Sequence, residues 1–138
     1  MAFTAINLRE FEIAMETASK DLSDRDFPLF QKKVAIDLLR SLFEKTPVDT
    51  GRARGNWRVG IEVGDEEVLD ITTRAEAAAS LAQGLLELVN APAFANIILF
   101  NNVPYILRLE HGHSDQRPAG FVAQSLDEVQ QTFAGLGR

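Results

Sequence analysis

The sequence predicts an α+β domain, with helices packed on one face of a small, mainly antiparallel sheet, a long helix before the first strand and a helix at the C-terminus. Three patterns predict it. Apolar residues recur at helical spacing in four segments, they alternate at the period of a strand from Trp57 to Val63, and a β-branched apolar run fills residues 94–101. The order helix, helix, strand, helix, strand, helix gives every element a layer in which to bury its apolar side.

The first helix is expected to begin near Asn7, with Asn7 and Glu10 at capping-box spacing and Leu8, Phe11, Met15, Ala18 and Leu22 on one stripe. The polar run 23–26 interrupts it. Pro28 suits the first turn of a second helix reaching about Lys45, where Phe30, Val34, Leu38 and Leu42 form a row widened by Ala35, Leu39 and Phe43. So broad an apolar face is expected against a sheet. Pro47 stops this helix by pushing the preceding residue into extended backbone.

From Asn56 to Val63, Trp57, Val59, Ile61 and Val63 alternate with polar residues or glycine, which reads as a strand with one buried face. Residues 64–67 form an acidic turn, and Val68–Ile71 is a candidate second strand. Thr73 and Glu76 make a capping box for an alanine-rich helix running from Ala75 to Val89, closed by Asn90 and Pro92. Its small residues permit close approach of another backbone, within or between subunits. Phe94–Asn101 reads as a central strand. The last helix is expected to open at Pro118, bury Val122, Leu126, Val129 and Phe133, and end at Gly135 and Gly137.

At 138 residues the chain is expected to be one domain, 1–138, large enough to bury a core without staples. It has no cysteine, which removes disulfides and thiolate metal sites. The N-terminal residues lack the pattern of a signal peptide, and no apolar run is long enough to span a membrane. A net charge of −6 argues against a general nucleic-acid binder, since phosphate contacts need a basic surface. The same acidic balance, with no basic recognition helix, disfavours a toxin–antitoxin or regulatory DNA binder.

Two segments stand out. The first, TPVDTGRARGNW over residues 46–57, is a turn with a mechanism: Pro47 stops a helix, Asp49 and Thr50 can bond neighbouring amides, and Gly51 permits a positive φ. A phosphate-binding nest aided by Arg52, Arg54 and Arg58 is the weaker reading, because the sequence shows neither a following helix N-terminus nor a lysine–serine pair. These arginines are better matched to an acidic partner surface. The second segment, 101–112, contains Tyr105 after Pro104, where a half-buried phenol suits an interface. It leads into Glu110, His111, His113 and Asp115, the chain's one cluster of metal-ligating residue types. Two histidines and flanking carboxylates make a local pattern only; a metal site needs three or four convergent ligands with supporting partners. No HExxH, nucleophile elbow or phosphate loop accompanies it. A small metal-dependent hydrolase or nuclease using His111, His113 and Asp115 is therefore the distant alternative, and no cofactor is expected. Trp57 is expected in the core, in register with Val59 and Ile61.

In their order and spacing the two segments resemble the neck or tail-completion proteins of long-tailed bacteriophages, often described as minor tail or head–tail joining proteins. The likeness rests on Thr46, Pro47, Asp49, Thr50, Gly51 and Trp57, then on Asn102, Tyr105, Glu110, Gly112 and Pro118, and spans about Val34 to Val129. Two positions depart from the pattern: Ala53 where a larger apolar residue is common, and His111 where an aromatic is common. The resemblance implies a non-enzymatic virion protein, assembled in the host cytoplasm. It would form a homo-oligomeric ring between the head-closure or connector proteins and the tail-terminator or tail-tube proteins. DNA would pass through the lumen without specific binding, a role that an acidic or neutral wall suits. A tail-terminator protein capping the tube is the alternative in the same class. The residues expected at contacts are Arg52, Arg54, Arg58, Tyr105, Glu110, His111, His113 and Arg117.

Overall fold

A computed structural model describes residues 7–48, 51–111 and 120–133. Helix α1 (Leu8–Ser19) begins at Asn7, as the spacing predicts, but the expected capping box does not form. The Asn7 amide instead donates across the fold to the Ala123 carbonyl at 2.8 Å, so a tertiary partner displaces the local one. Helix α2 (Asp26–Lys45) carries Pro28 in its first turn and stops at Thr46, whose ψ of 129° is extended backbone.

The chain then makes a one-turn helix, α3 (Arg52–Gly55), strand β1 (Arg58–Ile61), helix α4 (Arg74–Val89) and strand β2 (Ile97–Phe100). A second one-turn helix, α5 (Ile106–Glu110), precedes α6 (Phe121–Phe133). β1 and β2 pair antiparallel, with Arg58 opposite Phe100 and Ile61 opposite Ile97, as a two-stranded sheet. The predicted α+β class holds, with α4 against the sheet.

Several boundaries differ from expectation for identifiable reasons. β1 ends at Ile61 because Glu62 adopts a φ of 71°; Val63, expected to be buried, is 72% exposed. The Glu62 N–H donates to the Asn96 carbonyl at 2.7 Å, and its carboxylate accepts from Asn96 N–H and Nδ2, so three bonds hold the unfavourable backbone. Val68–Ile71 is not a strand. It is held by the buried Asn56 side chain, which accepts from Leu69 N–H (2.7 Å) and donates to Leu69 C=O (3.2 Å). The strand expected over Phe94–Asn101 is shorter and lies at a sheet edge, not in the centre. Phe94 has a φ of 64° and stacks on Phe27 with centroids 5.9 Å apart, which turns the chain before β2 begins.

The broad face of α2 packs chiefly on α6 and α4, and only marginally on β2, so helix-to-helix contact replaces the expected helix-on-sheet layer. Thr73 caps α4 as predicted, accepting from Glu76 N–H at 3.1 Å; the Glu76 carboxylate answers by accepting from both Thr72 and Thr73 hydroxyls. Those bonds hold its carboxyl below the ordinary value. The small residues of α4 serve approach within the chain: Ala77 is buried against Gly55, and the Ser80 hydroxyl donates to the Gly55 carbonyl at 2.7 Å. Helix α6 begins at Phe121, later than expected, because Gly120 takes a φ of 72°. Its predicted inner stripe of Val122, Leu126, Val129 and Phe133 is buried in full. Pro118, Gly135 and Gly137 lie outside the described residues.

The core gathers Leu39 and Leu42 of α2, Trp57 and Val59, Leu88 of α4, Val103, Ile106, and Phe121, Val122 and Leu126 of α6. Among the described residues no helix is long and apolar enough to cross a membrane.

Candidate functional site

The segment 46–57 is built around Thr46. Its N–H donates to Leu42 C=O, closing α2, and its hydroxyl donates to the same carbonyl while accepting from Trp57 Nε1 at 2.7 Å. Trp57 is buried, as predicted, and meets the Phe121 ring edge to face at 6.4 Å. A buried indole N–H without a partner would be costly, so the Thr46 hydroxyl is what allows a tryptophan here.

Gly51 has φ 90° and ψ −2°, the left-handed conformation that the turn reading requires. A Cβ on it would lie 3.2 Å from the Thr73 carbonyl oxygen and 3.4 Å from Ala77 Cβ. Pro47 is half-buried beside it, while Asp49 and Thr50 lie outside the described residues. Contrary to the sequence reading, a helix does follow the turn, but α3 has only four residues. So short an element carries little dipole and does not make an anion site.

The three arginines divide by role. Arg54 reaches back to the end of α2: its Nη2 donates to Glu44 C=O at 2.8 Å, its Nε and Nη2 donate to Thr46 C=O, and its guanidinium lies 5.2 Å from the Phe43 ring centroid. It caps a helix C-terminus. Arg58 forks onto Asp65 at 2.6 and 2.8 Å and covers the Phe100 ring at 5.1 Å. The Arg58 bond, with the Glu67 N–H, holds the Asp65 carboxyl below its ordinary value. Both are corrections to the expectation of interface arginines, because their donors are engaged inside the subunit. Arg52 is exposed on α3.

The segment 101–111 meets the first one directly. Asn101 Nδ2 donates to Ala53 C=O at 2.8 Å, and its Oδ1 accepts from Val103 N–H. Ala53, one of the two departures from the family pattern, is itself buried. Asn102 Nδ2 donates to the Asp65 and Glu67 carbonyls, tying the acidic turn down. Tyr105 precedes α5 and packs partly buried against the core.

Glu110 is a further correction. It is 5% exposed, so it is not an interface residue; its carboxylate accepts from Val122 N–H at 2.7 Å and Ala123 N–H at 3.1 Å. It caps α6 from a distant part of the chain, where an anion is favoured. Burial pushes its carboxyl above the ordinary 4.5, and the amide bonds pull it back only in part. Gly120 makes this possible, since a Cβ there would lie 2.5 Å from Glu110 Oε2. His111 is exposed at the end of α5. His113, Arg117, Gly112 and Asp115 lie outside the described residues, so the proposed histidine cluster falls there as well.

A cavity of about 410 Å³ runs beside β2 between Leu8, Leu38, Trp57, Ile106 and Leu126. Among the described residues, the polar side chains lining it are Asn101 and Asn102, and none of the lining residues is titratable. Sequence reasoning missed the Thr46, Asn56 and Glu110 anchors. Thr46 and Glu110 stood in the two noted segments, but nothing in their spacing shows which distant group each one bonds. No protein-family model matches the chain, and no curated protein or solved structure matches it.

Proposed function

We propose that the chain is a structural virion protein of a long-tailed phage, forming a ring at the head–tail junction that joins the head-closure complex to the tail tube. One observation carries this reading beyond the resemblance itself. The two segments that bear it form one hydrogen-bonded unit, through Asn101 to Ala53, and their characteristic residues serve shape. Thr46 seats Trp57, Gly51 turns the chain, and Glu110 caps α6. Such a unit presents loops at fixed positions on a rigid frame, which is what a joint needs. The chain's net charge of −6 suits a lumen along which DNA slides.

The test is complementation of a phage lacking the gene, examined by electron microscopy. Loss of the protein is expected to leave filled heads and unjoined tails. Normal virions from the null phage would rule the assignment out, and tails of unregulated length with intact necks would favour the tail-terminator alternative.

A further inference from the structure

Strand β1 has a second edge, turned away from β2. The Glu62 N–H to Asn96 C=O bond and the pairing register fix the alternation: residues 58, 60 and 62 face 100, 98 and 96 as hydrogen-bonded pairs. The N–H and C=O of Val59 and Ile61 therefore point to this outer edge, and among the described residues they have no hydrogen-bond partner. Val59 is 8% exposed, and the backbone groups of so buried a residue need a partner.

At Val59 the edge opens into a groove of about 520 Å³. One wall is α4, with Ser80, Gln83 and Glu87; the other is Leu69 and Ile71, in the segment that Asn56 holds in place. Helices α1, α2 and α6 do not line it, and Glu76, Ala79 and Gln83 along the α4 wall are exposed, so the mouth faces solvent. An edge strand lying beside a helix seats an extended segment: main-chain bonds hold it, and the walls select its alternate side chains.

The walls also say which segment fits. Val59 and α4 share one face of the sheet, since a Cβ on Gly84 would lie 3.4 Å from Val59 Cγ2. A residue paired with Val59 therefore sets its side chain toward α4, where Glu76, Ser80, Gln83 and Glu87 form one row, and its two neighbours face the side of Arg58 and Leu69. Among the described residues, Arg58 is the one basic residue lining the groove, and it is already forked onto Asp65. Carboxylates are thus the charges the α4 wall offers, and a basic side chain flanked by apolar ones complements them. A second copy does not supply it, because neither β2 nor residues 68–71 carry Lys or Arg.

We propose that the groove between β1 and α4 takes an extended segment of a partner protein as a third, antiparallel strand, with a lysine or arginine opposite Val59 and set against Glu87. The residue opposite Val59 exchanges both N–H···O bonds with it. This strand addition does not depend on the phage reading.

The experiment titrates the purified chain with a blocked heptapeptide, Thr-Thr-Val-Lys-Val-Thr-Thr. Amide exchange at Val59 and Ile61 should slow at saturation, and added salt should weaken binding. The same peptide with glutamate in place of lysine should bind at least about tenfold more weakly. So should the lysine peptide methylated on the lysine backbone nitrogen, which keeps the side chain and loses the donor to Val59 C=O. Glu87→Lys should reverse the preference between the lysine and glutamate peptides. No binding at millimolar peptide, equal affinity for the lysine and glutamate peptides, equal affinity for the methylated one, or saturation without slowed exchange at Val59 would each overturn the proposal. The peptide comparisons use the unaltered chain, so they stand even if Glu87→Lys fails to fold.

Discussion

Gly51→Ala tests whether the turn after α2 is held by backbone geometry. Gly51 lies at φ 90°, where an L-residue costs about 1–2 kcal/mol relative to ordinary backbone. The added methyl also approaches the Thr73 carbonyl oxygen at 3.2 Å and Ala77 Cβ at 3.4 Å. Neither neighbour yields easily, because Thr73 caps α4 and Ala77 is 1% exposed. Against this, alanine restricts the unfolded chain and returns about 0.4–1 kcal/mol. The net expectation is a loss of about 1 kcal/mol, or about 3–5 °C in Tm for a chain of this size. Gly51→Asn, which tolerates the left-handed region better, should lose less. The assay is a reversible thermal or urea melt of the three proteins. A Gly51→Ala variant as stable as the parent would refute the reasoning, and so would an asparagine variant that is less stable than the alanine one.

Thr46→Val leaves the Trp57 N–H buried without a partner and should cost about 1–3 kcal/mol, with a change in the emission of the single tryptophan. Arg54→Ala removes donors from the Glu44 and Thr46 carbonyls and should cost about 1 kcal/mol in a urea melt. For Glu110, burial raises the carboxyl above 4.5, so from that pH upward the folded state holds a proton that the unfolded state has released. Its contribution to stability should therefore fall as pH rises through that window and recover fully below it. The difference in unfolding free energy between the parent and Glu110→Gln, followed from pH 4 to 8, isolates this slope, and a difference that grows with pH in the parent's favour would contradict it.

The sequence read well where a pattern was long and local. The α6 stripe, the α2 stop at Pro47, the Thr73 cap and the positive φ at Gly51 each follow from a few residues in one place. It read poorly where a side chain found a distant partner. Asn7 and Glu10 have capping-box spacing, yet Asn7 bonds Ala123, more than a hundred residues away. Val68–Ile71 has strand composition, yet one Asn56 amide satisfies the Leu69 backbone in place of a ladder. Glu110 appears as one more acid in a histidine loop, and its capping of α6 is fixed only when α5 and Gly120 bring it there. Short helices such as α3 and α5 are set by tertiary contact, because four or five residues carry too little periodicity to read.

The placement of these residues also changes how an interface must be sought. Thr46, Gly51, Trp57, Asn101 and Glu110 are bonded or packed inside the subunit, so substituting them lowers stability, and any loss of head–tail joining follows from that. Arg54 belongs with them, since charge reversal there sets a carboxylate against the carbonyls at the end of α2. Reversing Arg52 and Arg54 together would thus confound folding with joining. Arg52→Glu and His111→Ala change exposed side chains that also interact within the subunit, so each variant's melt is compared with the parent's before joining is scored. If the joint reading is right, one of these two reduces complementation of the null phage while melting normally, a combination that substitutions at the internal residues do not give. Normal joining by both variants would move the contact away from α3 and from the end of α5.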